Sequence, residues 1–238
     1  MNNHIRCNRM LLAFLFGVAL VATSACAQLP SRDESVPPML ATKRHPVQSE
    51  ARKILMKEYS LLHYGLDQWT LQNPQMIVIH YTGTDSDEYS LSVFTSDTLA
   101  SSRTEISSGG AVNVGVHYVI TRDGAIWSLL PETDMGRHII GYNHTAIGIE
   151  MTGSSGDVLT DEQLASCAAL VANIASRNSG IRYLVGHHEY VQKGRSHLYL
   201  YKELVDDYTP TVKHDPGACF MYLLRETLDR EYSVLLED

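Results

Sequence analysis

Four polar residues stand where apolar segments end or the chain must turn. His80 closes Met76-Ile77-Val78-Ile79, Glu150 closes Ala146-Ile147-Gly148-Ile149, His187 follows Tyr183-Leu184-Val185-Gly186, and Asp215 precedes Pro216-Gly217. An apolar strand that ends on an imidazole or a carboxylate keeps its body in the core and delivers a functional group to the rim. Two histidines and one carboxylate are the donor set of a hydrolytic zinc site, whose remaining position stays open for water. A second carboxylate nearby can move protons. His188 is a rival to His187, but neighbouring side chains on a strand point to opposite faces, so only one of the two can reach a metal.

Positioning such groups requires buried strands. Residues 76–81, 114–121, 125–130, 147–151 and 181–186 read as strands. The second and third are joined by a hairpin turn at Arg122-Asp123-Gly124, where glycine supplies a positive φ. Helices are expected over 49–59, around 91–99, after the capping box Thr160-Asp161-Glu162-Gln163 as far as Asn178-Ser179-Gly180, and over 218–232. A mobile loop is expected to end at Gly109-Gly110. Strands interleaved with helices predict an α/β domain with a central mixed β-sheet flanked by helices.

The 238 residues suffice for one domain with a substantial core. The net charge of -8 argues against a nucleic-acid partner, which calls for a basic patch. Residues 1–26 read as an export signal: Arg6 and Arg9 form a basic start, and 10–22 is an uncharged apolar run too short to span a bilayer comfortably. Two cleavage readings stay open. Ala25-Cys26-Ala27 fits ordinary secretion, whereas Ser24-Ala25-Cys26 resembles a bacterial lipobox that would make Cys26 a lipid anchor. Residues 27–46, with Pro30, Pro37, Pro38 and Pro46, read as a linker, and 47–238 as the catalytic domain. Cys167 and Cys219 could form a disulfide in an oxidising compartment or remain two buried thiols.

Five stretches, in this order, resemble the zinc-dependent N-acetylmuramoyl-L-alanine amidases of the type-2 amidase and peptidoglycan-recognition-protein superfamily. They are Val78-Ile79-His80-Tyr81-Thr82, Val116-His117-Tyr118-Val119-Ile120-Thr121-Arg122-Asp123-Gly124, Asn143-His144-Thr145-Ala146-Ile147-Gly148-Ile149-Glu150, Gly186-His187, and Lys213-His214-Asp215-Pro216-Gly217. The resemblance implies that fold, and Zn²⁺ held by His80, His187 and Asp215. It implies Glu150 as the proton shuttle to the leaving amine and Lys213 as a fixed cation for the oxyanion. It favours His187 over His188 because the ligand directly follows Gly186. His117 is expected to line the cleft. His138 and Asn143 are expected to contact muropeptide, or else to brace a loop, and His144 and His214 to be exposed. Val116 stands where some relatives place a catalytic tyrosine, which leaves Glu150 as the general base. Residues 189–212 are a long connector that could wall one side of the groove.

The resemblance also implies peptidoglycan or muropeptides as partner, with membrane contact only through a lipid on Cys26. The location implied is the bacterial cell envelope: periplasmic, anchored to the outer membrane, or secreted. Two other readings share the fold. One is a non-catalytic peptidoglycan-binding module, but such modules commonly lose a ligand and this chain keeps all three. The other is a zinc hydrolase for a different amide, such as an interbacterial effector or a phage-type lysin.

Overall fold

The computed structural model describes residues 40–238; the segment read as an export signal, Cys26, and residues 27–39 of the stretch read as linker lie outside the described residues. The strands are β1 (Thr42–Arg44), β2 (Met76–Tyr81), β3 (Tyr118–Ile120), β4 (Ile126–Ser128), β5 (Ala146–Met151) and β6 (Tyr183–Gly186). The helices are α1 (Glu50–Tyr64), α2 (Asp87–Ser92), α3 (Asp161–Arg177) and α4 (Ala218–Thr227), with short 3-10 turns between them. One sheet runs β1-β4-β3-β5-β2-β6. Every pair is parallel except the β3–β4 hairpin, so the mixed sheet flanked by helices expected from the sequence is present. No helix among the described residues is long and apolar enough to cross a membrane.

Strand alternation decides where the polar residues emerge. Ile77 and Ile79 of β2, Ile147, Ile149 and Met151 of β5, and Leu184 of β6 pack into one core with α3 and α4. Met76, Val78, Ala146, Tyr183 and Val185 pack into the core on the opposite face, with Tyr142 and Tyr190. Side chains alternate with a period of two. His80 therefore shares a face with Met76 and Val78, Glu150 shares it with Ala146, and His187, just past the end of β6, continues from Tyr183 and Val185. The register sets His80 opposite Glu150 and Ile79 opposite Gly186. Three parallel neighbours thus present their carboxyl ends together, the usual location of sites in such sheets.

The helices lock this frame. In α3 the predicted capping box forms: Thr160 Oγ1 accepts from Gln163 N at 3.1 Å and Gln163 Oε1 accepts from Thr160 N at 3.0 Å. Gln163 Nε2 also donates to the carbonyls of Ile120 and Thr152 at 3.1 and 2.9 Å, pinning the helix start to the β3 and β5 ends. Cys167 is a free thiol fully buried in α3, so a Cys167–Cys219 disulfide is not formed.

The structure corrects several expectations. Thr42–Arg44, inside the stretch read as linker, pairs with Ile126–Ser128 as an edge strand. Its three residues are all exposed, so they carry no apolar pattern to read. The helix expected around 91–99 is displaced to Asp87–Ser92, with Ser86 as its cap. Beyond it, distant side chains take the carbonyls a helix would use. Asn113 Nδ2 donates to Val93 O and Ser96 O at 2.9 and 3.0 Å, and Arg52 donates to Phe94 O at 2.6 Å and to Ser96 O. The loop expected to be mobile contains a 3-10 turn, Thr104–Gly109, that Arg137 holds by its carbonyls. The final helix, expected to reach residue 232, is α-helical to Thr227 and widens into a π turn over Leu228–Tyr232.

Candidate metal centre and active-site cleft

His80, His187 and Asp215 converge at the carboxyl edge of the sheet. His80 Nδ1 lies 2.9 Å from His187 Nδ1 and 3.2 Å from Asp215 Oδ2, and His187 Nδ1 lies 3.0 Å from the same oxygen. His80 and His187 are both buried. Asp215 arrives from outside the sheet, on the segment after the 189–212 connector. Gly217, with φ 97°, caps α4 in a conformation that disfavours a side chain and turns the chain into the helix. Burial and the neighbouring His80 push His187 down to about 4, against the pull of Asp215. Burial alone would raise Asp215, but its bonds to His187 and His80 win and hold it well below the usual carboxylate range. The centre therefore combines neutral imidazole with an ionised carboxylate at neutral pH.

His188 faces away from this cluster. Its backbone N–H donates to Asp215 O at 2.8 Å and its ring Nδ1 lies 3.2 Å from the same oxygen, so it braces the main chain of Asp215. Tyr190 packs edge-on against His187, with centroids 4.9 Å apart, and donates its hydroxyl to Thr211 O at 2.7 Å. Glu189 accepts from Gly186 N at 2.8 Å and pairs with Arg225 and Arg195, which clamps the turn that carries His187. Neither Tyr190 nor Glu189 is prominent in the sequence; the only signal is their position within one turn of His187.

Glu150 sits beside this cluster with Oε2 buried and without a hydrogen-bond partner. Burial, aided by Asp215 and opposed by His80, Arg103 and Lys213, raises its pKa to about 7. His80, Glu150, His187, Lys213 and Asp215 all line one open cleft. Tyr190, Tyr208 and Thr211 of the connector line it too, so this segment walls the groove as anticipated.

The remaining expected site residues separate. His138 lines the cleft, and its Nδ1 lies 3.1 Å from His80 Nε2. Asn143 lines the cleft as well. Its Oδ1 accepts from the backbone N–H of His138 and Ile139 at 2.9 and 2.8 Å, and its Nδ2 donates to Tyr59 Oη at 3.2 Å, which is the loop-bracing alternative. His117 does not line the cleft. It is fully buried, its Nδ1 accepting from Gly148 N and its Nε2 donating to Asp134 O, both at 2.9 Å, so neither nitrogen is left for a ligand. His144, expected to be exposed, packs on Tyr64 at 4.7 Å, and burial lowers it to about 4. His214 is exposed, as expected.

Arg137, unassigned from sequence, joins the two walls of the groove. Its guanidinium donates to Gly110 O at 3.0 Å, Val112 O at 2.7 Å, Ile106 O, and Tyr208 Oη at 3.1 Å. It also stacks 5.1 Å from the Tyr59 ring centroid. Arg137→Met keeps the length but strands three carbonyls. At about 1–2 kcal/mol for each lost partner, the fold is expected to lose roughly 3–6 kcal/mol. A urea titration checks this as a lowered midpoint at unchanged slope; a loss under about 1 kcal/mol would show that water replaces the guanidinium without cost.

Comparison with known proteins follows the same residues. A sequence profile described as N-acetylmuramoyl-L-alanine amidase matches residues 70–218, more than half of the chain. The endolysin of Escherichia phage T7 is 32% identical over 90 residues, covering 35% of this chain and 59% of that protein. The endolysin of Enterobacteria phage T3 is 31% identical over the same shares. The chain thus spans about three-fifths of the length of these curated relatives. A crystal structure of a selenomethionine AmpD derivative superposes with a TM-score of 0.51 at 21% identity, covering 80% of this chain and 96% of that one, and supports the fold. The profile match runs from before β2 to the first residue of α4, across every segment that lines the cleft except that of Tyr59, and the chain belongs to the N-acetylmuramoyl-L-alanine amidase family.

Proposed function

We propose that this protein is an exported, zinc-dependent N-acetylmuramoyl-L-alanine amidase that hydrolyses the amide between N-acetylmuramic acid and L-alanine in peptidoglycan or muropeptides. The observation that carries the proposal is the meeting of three donor atoms within 3.2 Å of one another beside a buried, unpartnered carboxyl oxygen on the wall of an open cleft.

The donor set fits zinc. Bonds of about 2.1 Å in a tetrahedron separate their donors by about 3.4 Å, close to the spacing of His80 Nδ1, His187 Nδ1 and Asp215 Oδ2. These three residues would hold the ion and leave its cleft side open. When bound, zinc supplies Lewis acidity that polarises the amide carbonyl and eases deprotonation of the attacking water.

The chain's own groups do the rest. Glu150 accepts the water proton at its buried Oε2 and passes it to the departing L-alanine nitrogen. A carboxyl raised to about 7 is basic enough to take that proton and acidic enough to return it. Lys213, on the cleft wall two residues before Asp215, faces the carbonyl oxygen as negative charge develops there. The connector wall of Tyr190, Tyr208 and Thr211 bounds the groove in which the stem peptide lies.

The apolar run at 10–22 and the small residues that follow support export to the bacterial envelope, with Cys26 as a lipid anchor or as part of an ordinary cleavage site. Peptidoglycan digested with the zinc-loaded protein is expected to yield stem peptides with free L-alanine N-termini by mass spectrometry. Saccharide-linked peptides that stay intact while the protein cosediments with peptidoglycan would instead identify a binding module.

A further inference from the structure

Away from the metal centre, His63 stands fully buried in the last turn of α1, and each of its ring nitrogens meets an acceptor. Nε2 lies 2.9 Å from the carbonyl oxygen of Gly109, and Nδ1 lies 2.7 Å from Glu203 Oε1 on the connector. A carbonyl oxygen only accepts, so Nε2 carries a proton. Glu203 Oε1 also accepts from Val205 N at 3.0 Å. A bare Nδ1 and a carboxylate oxygen would face each other with lone pairs only, so this contact holds a second proton. An imidazolium beside a carboxylate satisfies every one of these contacts.

The surroundings favour that pairing. The Glu203 side chain is 4% exposed, and its Oε2 has no hydrogen-bond partner. A carboxylate so placed needs a counter-charge, and among the described residues His63 is the group that pairs with it. The carboxyl end of a helix also favours a cation. Leu204 N donates to His63 O at 3.0 Å, so the connector takes up one of the carbonyls left open where α1 ends.

What is fastened here is a wall of the cleft. Tyr208 and Tyr59 pack on the His63 ring, with centroids 4.6 and 4.0 Å away. Both tyrosines line the cleft, whereas His63 and Glu203 do not. A Cβ on Gly109 would lie 2.5 Å from the Tyr208 ring, so the bare backbone there lets the ring close on the 104–109 turn. One imidazole thus ties α1 to the turn through Gly109 O and to the connector through Glu203.

We propose that His63 and Glu203 form a buried ion pair that positions the connector wall, Tyr208 included, at the substrate groove. Both are positioning residues, because they act through Tyr208 and the connector backbone and not on substrate. The proposal rests on the amidase reading for its kinetic consequence alone. A wall in place for only a fraction of the time lowers apparent substrate affinity by that fraction. The hydrolytic groups are untouched, so the effect falls on KM and not on kcat.

The test uses the full chain. With ¹⁵N-histidine labelling, long-range ¹H–¹⁵N spectra at neutral pH should show wild-type His63 protonated on both ring nitrogens, and on Nε2 alone in Glu203→Gln. Amide exchange at Leu204 and Tyr208 should quicken in His63→Phe, which keeps a ring among the tyrosines but cannot donate. With soluble muropeptides as substrate, His63→Phe should raise KM about tenfold at nearly unchanged kcat, the value for a wall in place a tenth of the time. His63→Asn sets an amide nitrogen where Nδ1 was, restores the donor to Glu203 and should hold KM within about threefold of wild type. A space-filling role predicts the reverse order of the two variants. A singly protonated His63 in the wild type, His63→Phe within about twofold of wild type in KM and exchange, or His63→Asn weaker than His63→Phe would overturn the proposal. If no protein in the series cleaves muropeptides, the amidase reading fails, while the spectra and exchange rates still decide the ion pair.

Discussion

Glu150→Gln is expected to remove most amidase turnover, by a factor of about 10²–10⁴, and at the same time to make the metal-free fold more stable. The first effect follows from replacing a proton carrier with an amide of the same shape that cannot accept a proton at neutral pH. The second follows from the buried Oε2 without a partner and from a pKa raised from 4.5 to about 7. A carboxyl whose folded pKa is raised binds its proton more tightly in the folded state. Its contribution is therefore intact below the unfolded pKa and is lost as pH climbs through the folded pKa. At about 1.4 kcal/mol per pH unit, the wild type forfeits up to about 3 kcal/mol between pH 4.5 and 7, and the glutamine variant does not.

Thermal unfolding of chelator-treated protein checks the second effect. The gap in Tm should be small near pH 4.5 and reach its plateau above pH 7. It should amount to several degrees there, since about 1 kcal/mol moves Tm by roughly 2–4 °C for a chain of this size. An active variant would remove Glu150 from the reaction. An inactive variant with no pH-dependent gain in Tm would show instead that the carboxyl is ionised at no cost, through a hydrogen bond made only in solution.

The second large effect separates two adjacent histidines. His187→Ala should lose zinc, and activity with it. If an affinity of about 10–16 kcal/mol is shared among four ligands, each is worth roughly 3 kcal/mol, more than a hundredfold in binding. His188→Ala should keep stoichiometric zinc, because its ring faces the carbonyl of Asp215 and not the donor cluster. Its expected cost is about 1 kcal/mol of stability, the net worth of one such hydrogen bond. Elemental analysis after dialysis decides between them. Zinc retained by the His187 variant and lost by the His188 variant would reverse the assignment.

The contrast between these two residues shows what could be read from the chain. The position directly after Gly186 pointed to His187, which does lie beside His80 and Asp215, but the strand alternation expected to separate it from His188 does not apply, because His187–Glu189 is a 3-10 turn beyond β6. The buried strands β2, β5 and β6 were legible because, with both faces of the sheet covered, they appear as continuous apolar runs. What stayed hidden depends on atoms far along the chain. His117 looked like a cleft residue, yet its partners are the backbone of Gly148 and Asp134, which no pattern around residue 117 announces. The missing helix at 93–99 has the same origin, since Arg52 and Asn113 take its carbonyls. Arg137 reads as an ordinary charge until Ile106, Gly110, Val112 and Tyr208 are brought around it.

His80 and Glu150 belong to adjacent parallel strands in fixed register, and His187 directly follows the end of a third. Neighbouring strands in any sheet stand about 4.8 Å apart. The distance from base to ligand is thus inherited from backbone hydrogen bonding, and no loop sets it. The connector over 189–212 and the turn around residue 106 lie outside that grid. They can lengthen, shorten or change composition, retuning what fits the groove, while the spacing of His80 and Glu150 is kept. Backbone pairing holds these two side chains in place, and the walls are left free to vary.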